Sequence, residues 1–337
     1  MNIQEIEISF EKDAVWKKVA DRLSIFMDTN CWIDMADEIN DVASRVRDKL
    51  RELVASGDVF CPLSWGILEE LFLQSGESLQ RTAKLMEELS LNAIFVMRKE
   101  LYQWEFSRSI QRLKGEPVHN TLNGLFVPPA AFVGSAPRLA WNTDIPVSQE
   151  AKEDIKAYMK EYLSNIGIVE LTEKMGGAMI NKKFPAYADA AKKVREKFKG
   201  NKKKLFLEEA GNCFYLYITP LLRNYPRSLI ASWSAQFGSP DDEETWFLNA
   251  LAQLPALHNF IDIMIVMDSQ PDRKDKYNHF MDNEIIVAPL AYANVFVSKD
   301  KGIRDMLLNR TKILSRTNCF YCDSIDNLET WLKEKFP

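Results

Sequence analysis

The chain has 337 residues, 46% of them apolar and 27% charged, enough to bury a sizeable core and typical of a soluble globular protein. A formal charge of −5 excludes a chain-wide electrostatic pull on nucleic acid, so any such surface has to be local. No apolar run reaches the roughly 18 residues of a membrane span, and the alternating start Met1 to Lys12 lacks the apolar centre of a signal peptide, so a cytoplasmic location and no membrane partner are expected.

Met1 to Phe10 reads as an edge strand, and Val15, Trp16, Val19 and Leu23 repeat at helical spacing. Ser24-Ile25-Phe26-Met27 is then a short apolar run that stops at Asp28-Thr29-Asn30, the pattern of a buried strand whose carboxyl end opens into a crevice. In open α/β sheets ligands sit at that end, although all three of these residue types also cap helices. Trp32 to Val54 reads as one helix with Val42, Val46, Leu50 and Leu53 on one face, ended by Ser56-Gly57-Asp58. Val59 to Leu63 is a second strand with Pro62 at its end. Trp65 to Leu73 and Ser78 to Leu89 are helices, and Asn92 to Met97 a third strand.

From about Leu101 the character changes. Residues 115 to 147 collect five prolines and no sustained period, which reads as loop-rich connection, and 148 to 266 read mostly as helices. Ser239-Pro240 followed by Asp241, Asp242, Glu243 and Glu244 reads as a helix start with Pro240 at the first position. The alternation of strand and helix returns near 282: Ile285 to Ala293 as an apolar helix, Val295 to Ser298 as a strand, Lys301 to Leu308 as a helix. A last strand is expected within Thr311 to Cys322 and an amphipathic helix over Ile325 to Phe336. Two α/β pieces, 1–100 and 267–337, thus flank a mostly helical insertion, 101–266.

The five cysteines form no disulfide framework, and the three histidines are too scattered to complete a zinc site with Cys319 and Cys322, which read as small, partly buried residues of a strand. Acids are more informative. Asp28 follows the first buried strand, Glu69 and Glu70 lie on the helix after the second, Asp282 opens the apolar helix, and Asp300 follows Ser298 and Lys299 at the end of its strand. The ends of successive parallel strands lie side by side, so acids from distant sequence are expected to converge there. Clustered carboxylates raise one another's pKa, and a hard cation such as Mg²⁺ or Mn²⁺ resolves the conflict through oxygen ligands. Taken singly, each acid has a plain structural use: Asp282 as a helix cap, Asp300 in a turn, Glu69 and Glu70 on a solvated face.

In this order the pieces Phe26-Met27-Asp28-Thr29-Asn30, Pro62-Leu63-Ser64 leading to Glu69-Glu70-Leu71, Asp282 through Ile285, and Val297-Ser298-Lys299-Asp300 resemble the PIN-domain ribonucleases. The resemblance implies a Rossmann-like α/β domain with a central parallel sheet, here interrupted by the α-helical insert. It implies a metal-dependent endoribonuclease in which Asp28, Glu70, Asp282 and Asp300 hold Mg²⁺ or Mn²⁺, with Thr29, Asn30, Ser298 and Glu69 in support. Asp282 and Asp300 are eighteen positions apart, which fits one helix and one strand. Two adjacent helical residues point about 100° apart, so one of Glu69 and Glu70 faces the cluster, and the position before Leu71 favours Glu70. The insert is larger than the family's usual short helical stretch, and Ser298 stands where threonine is commoner.

Within the insert, Lys192, Lys193, Arg195, Lys197, Lys199, Lys202, Lys203 and Lys204 accompany a single acid, a local patch suited to an RNA backbone or simply a solvated helix end. Trp233, Trp246 and Phe247 suit base stacking or a core. The alternative to a nuclease is a catalytically inactive PIN-like module that binds RNA or protein. Either leaves room for a homo-oligomer or a regulatory protein partner.

Overall fold

Parallel strands of buried apolar residues organise this protein, a mixed α/β chain that is mostly helical. A computed structural model describes residues 3–7, 12–116, 122–133, 138–142, 148–175, 193–194, 196–198, 201–269 and 277–337. In chain order the elements begin with β1 (Ile3–Glu7), α1 (Lys12–Val19), β2 (Leu23–Met27), α2 (Thr29–Ala36), α3 (Asp41–Ser56), β3 (Val59–Phe60), α4 (Trp65–Phe72) and α5 (Gly76–Ser90). They continue with β4 (Ile94–Phe95), α6 (Arg98–Leu113), β5 (Phe126–Val127), β6 (Arg138–Asn142), α7 (Gln149–Asn165) and α8 (Ile168–Met175). Helices follow: α9 (Lys202–Cys213), a wider π-helical turn (Phe214–Ile218), α10 (Thr219–Leu222), α11 (Arg227–Ala235), α12 (Glu243–Leu251), α13 (Pro255–Asp268) and α14 (Tyr277–Tyr292). The chain closes with β7 (Val295–Val297), α15 (Lys301–Asp305), a second π-helical turn (Met306–Arg310), α16 (Ile313–Arg316), β8 (Phe320–Cys322) and α17 (Ile325–Lys335).

The sheet order is β3-β2-β7-β8, all parallel. Strand β2 lies beside β7, which comes some 270 residues later, with Ile25, Phe26 and Met27 opposite Val295, Phe296 and Val297. Ile25, Phe26, Met27 and all three residues of β7 are fully buried, each burial favouring the fold by roughly 1.5–3 kcal/mol. Apolar residues on both faces explain why these strands read as continuous runs rather than alternating ones.

Packing divides the chain into two units: Met1–Ser24, Trp32–Val96 and Leu122–Ile180 in one, and Ile25–Cys31, Met97–Thr121 and Asn181–Pro337 in the other. In the first, α3 packs on β3 and α5, and Phe126 meets the rings of Phe60 and Phe95. Its Glu87 accepts the Val169 N–H at the start of α8, 2.9 Å away. In the second, α13 packs against α6, α9 and α14, and a cluster of Phe106, Phe214, Trp233, Phe237, Trp246 and Phe247 fills the helical part.

Several sequence expectations are corrected. The span 32–54 is two helices, because Asn40 turns the chain and caps α3 through the Ala43 N–H at 2.8 Å. Gly57 ends α3 in the left-handed region (φ 91°), where its N–H reaches the Leu53 and Val54 carbonyls. The expected strand at 1–10 is present as β1, which pairs antiparallel with β6 in a two-stranded sheet of its own. Thus 115–147, read as loop-rich connection, carries two strands, β5 of two residues and β6 of five. Helix α12 starts after Asp242, which accepts the Thr245 N–H, so Pro240 precedes the helix instead of opening it. The helix after β7 stops at Asp305 and widens into a π-helical turn, and α16 precedes the last strand. Among the described residues no helix is long and apolar enough to cross a membrane.

Candidate functional site

The end of β2 places Asp28 beside the end of β7, where Ser298 and Asp300 follow. The Asp28 N–H donates to the Val297 carbonyl at 2.9 Å, which continues the ladder one residue past β2. Ser298 N–H in turn donates to Cys322 O at 3.1 Å, so three strand ends are in register here. Asp28, Thr29 and Ser298 are all buried.

Ser298 is the hub. Its hydroxyl donates to Asp28 Oδ2 at 3.0 Å and accepts the Asp300 N–H at 3.2 Å. Asp300 caps α15, its Oδ1 accepting the Ile303 N–H at 2.8 Å. A side chain on Gly302 would meet that same oxygen at 3.0 Å, which explains the glycine by close approach. Burial pushes the Asp28 carboxyl up from its ordinary range; Ser298 and the Thr29 amide pull it down, nearby Asp300 pushes it up again, and Lys299 eases it. Asp28 is therefore a buried acid with a like-charged neighbour and without an arginine or lysine ion pair among the described residues.

Tyr321 and the Arg304–Asp323 pair were not legible as site residues. The Tyr321 hydroxyl donates to the Ser298 carbonyl at 3.1 Å, and its ring stacks on Phe296 at 5.8 Å. Arg304 pairs with Asp323 at 3.2 Å. Tyr321 belongs to the Cys319-Phe320-Tyr321-Cys322 stretch, whose alternation gave a strand but no partner. Cys319 and Cys322 are both buried free thiols, each pushed up to about 12 by desolvation.

The other expected residues are placed as follows. Asp282 lies inside α14 and does not open it, since the helix already starts at Tyr277; its side chain lies outside the described ones. Asn30 is exposed and makes no hydrogen bond to Asp28, whose support comes from Ser298 and the Thr29 amide. Glu69 and Glu70 are half-buried on α4, in the first unit. Among the described residues no group of three or more His, Cys, Asp or Glu side chains comes together as a metal cluster.

Of the basic stretch, Lys192, Arg195 and Lys199 lie outside the described residues. Lys197 pairs with Glu208 at 2.8 Å and Lys203 with Glu244. Lys202, Lys203 and Lys204 are exposed in the first turn of α9, the end at which the helix dipole disfavours positive charge. Trp233 is core, its indole N–H donating to Ser109 at 2.7 Å, and Trp246 and Phe247 pack in the same aromatic cluster.

No family model matches the chain, and no curated protein or solved structure matches it.

Proposed function

We propose that this chain is a metal-dependent endoribonuclease on a Rossmann-like PIN fold, hydrolysing RNA phosphodiester bonds with Mg²⁺ or Mn²⁺. The observation that carries the reading is Asp28, a buried acid without an ion-paired cation among the described residues, hydrogen-bonded to Ser298 and next to Asp300. The strand order supports it. From β2 the chain steps to β3 on one side, whereas β7 and β8 lie on the other, so the order reverses beside β2. Open α/β sheets bind ligands outside the carboxyl ends at such a reversal.

The donor set fits a hard cation. Asp28 and Asp300 offer carboxylate oxygens, and one oxygen of Asp300 is already committed to Ile303, which fixes the direction of the other. Asp282 is the third acid of the reading, and Glu70 the fourth on the strength of the sequence pattern alone. The chemistry a divalent cation supplies there is a polarised phosphoryl oxygen and a water acidic enough to attack near neutral pH. Ser298 holds the Asp28 carboxylate in one rotamer and ties it to the Asp300 backbone, so that both acids keep one geometry. Lysines 192–204, with Arg195, are the proposed contact for the RNA backbone.

The test incubates the purified protein with single-stranded RNA and Mn²⁺ beside Asp28→Asn, and titrates Mn²⁺ calorimetrically. Cleavage and Mn²⁺ uptake that both disappear in the variant are expected. RNA binding without Mn²⁺ uptake would replace the nuclease with a binding module.

A further inference from the structure

A second buried acid lies away from the strand ends. Glu105 sits in the middle of α6 and is 2% exposed. Its Oε1 accepts the Ala256 N–H at 2.6 Å and the Tyr292 hydroxyl; its Oε2 accepts the Leu257 N–H at 3.2 Å. Ala256 and Leu257 belong to the first turn of α13, whose leading N–H groups have no partner inside the helix. Tyr292 is the last residue of α14. One carboxyl therefore joins three helices. Only Ala293 and Asn294 separate Tyr292 from β7, which ends at Val297 directly before Ser298, so movement of Tyr292 has little slack in which to dissipate.

We propose that Glu105 is a proton-operated tie: it fastens the start of α13 and the end of α14 to α6, steadies the strand end that carries Ser298 and Asp300, and loosens when its carboxyl ionises. The inference does not depend on the nuclease reading.

The chemistry follows from the three bonds. A neutral carboxylic acid keeps its carbonyl oxygen for Ala256 and Tyr292 and gives up only the longer bond to Leu257 as Oε2 becomes a hydroxyl. An ionised carboxylate keeps all three donors but stays out of water. Desolvation outweighs the bonds, and the Glu105 carboxyl is pushed up to about 7 despite Tyr292, the two amides and Arg112. The groups that act on it are Arg112 from its own helix and Tyr292 from α14; α13 presents backbone amides, and Arg108 acts on Tyr292. Tyr292 is itself driven far above its ordinary value and remains a donor. Trp104 meets the Tyr292 ring edge-on at 5.3 Å, with the Arg108 guanidinium 4.5 Å from the Trp104 ring centre.

The closed tie binds more protons than a hydrated glutamate between the ordinary 4.5 and about 7. Its strength is complete below that window and is lost as pH rises through 7. From these two values, opening of the α6–α13 junction becomes about tenfold more frequent between pH 6 and pH 8.

The experiment uses the full chain. Carbon-13 NMR of the glutamate carboxyls gives the Glu105 midpoint, and amide exchange at Ala256 and Leu257, corrected for intrinsic rate, gives the opening. A midpoint near 7, a roughly tenfold loss of protection from pH 6 to 8, and Ser298 and Asp300 amide shifts with the same midpoint are expected, all three disappearing in Glu105→Gln. A midpoint near the ordinary 4.5 overturns the proposal. So do protection that ignores pH, and Ser298 and Asp300 shifts whose midpoint survives in the variant. The wild-type measurements decide by themselves if Glu105→Gln does not fold.

Discussion

Asp28 and Glu105 are both buried acids, and burial drives both toward the neutral form. Their surroundings differ in kind. Around Glu105 every bond comes from a donor on another helix, and the charge that acts on it is Arg112 of its own helix. Asp28 receives a hydroxyl and an amide but faces a second carboxylate. An acid that the fold has satisfied on all sides serves the packing of helices. An acid held beside a like charge at the end of parallel strands, and eased only in part by Lys299, is the setting in which the proposed cation would bind.

Substitutions can break that contrast. The largest effect is expected from Asp28→Asn, which should lower RNA cleavage in Mn²⁺ by more than the roughly hundredfold that loss of an outer partner costs. The melting temperature should hold or rise, because a neutral amide relieves the desolvation. A drop in stability without loss of cleavage would place Asp28 with Glu105, among packing acids. Glu105→Ala is expected to do the reverse, costing about 3 kcal/mol in denaturant unfolding, since it strands two amides and a tyrosine hydroxyl. Ser298→Ala should weaken Mn²⁺ binding by roughly 10–100-fold, and Ser298→Thr, which restores the hydroxyl, should recover most of it in the same calorimetry.

The smallest effect is the pH dependence of stability. Glu105 and Glu209 are each pushed up to about 7, Glu209 by burial and by Asp268, so their stabilising share is full below the ordinary 4.5 and is lost as pH rises through 7. His258, pushed down to about 4 by burial, opposes them: its share is full above the ordinary 6.5 and is lost as pH falls toward 4. Glu105→Gln should therefore make the melting temperature at pH 7.5, relative to pH 5, higher than in the wild type.

Local pattern made much of this readable. The runs at 25–27 and 295–297 are apolar on both faces, so their strand character and burial are written in composition. Gly57 announces the end of α3 because capping is a matter of neighbouring residues, whereas Asn40, inside a span that reads as one helix, does not. Two-residue strands such as β5 carry no period, and their pairing with β4 rests on partners some thirty residues away. The extent of α14 is hidden in the sequence for a related reason: Tyr277 to Glu284 lacks the apolar stripe of its second half, and Pro289 lies inside the helix.

The acids themselves, and their positions after strands, belong to the sequence. Which strand lies beside β2 does not, because a parallel neighbour is chosen by sheet packing across some 270 residues. That choice alone brings Ser298 to Asp28 and Asp300 alongside, and it is why Asn30, adjacent in sequence, is not the residue that holds the acid. Glu105 goes further: in sequence it is an ordinary helical glutamate, and only the meeting of three helices makes it a buried, shared acceptor.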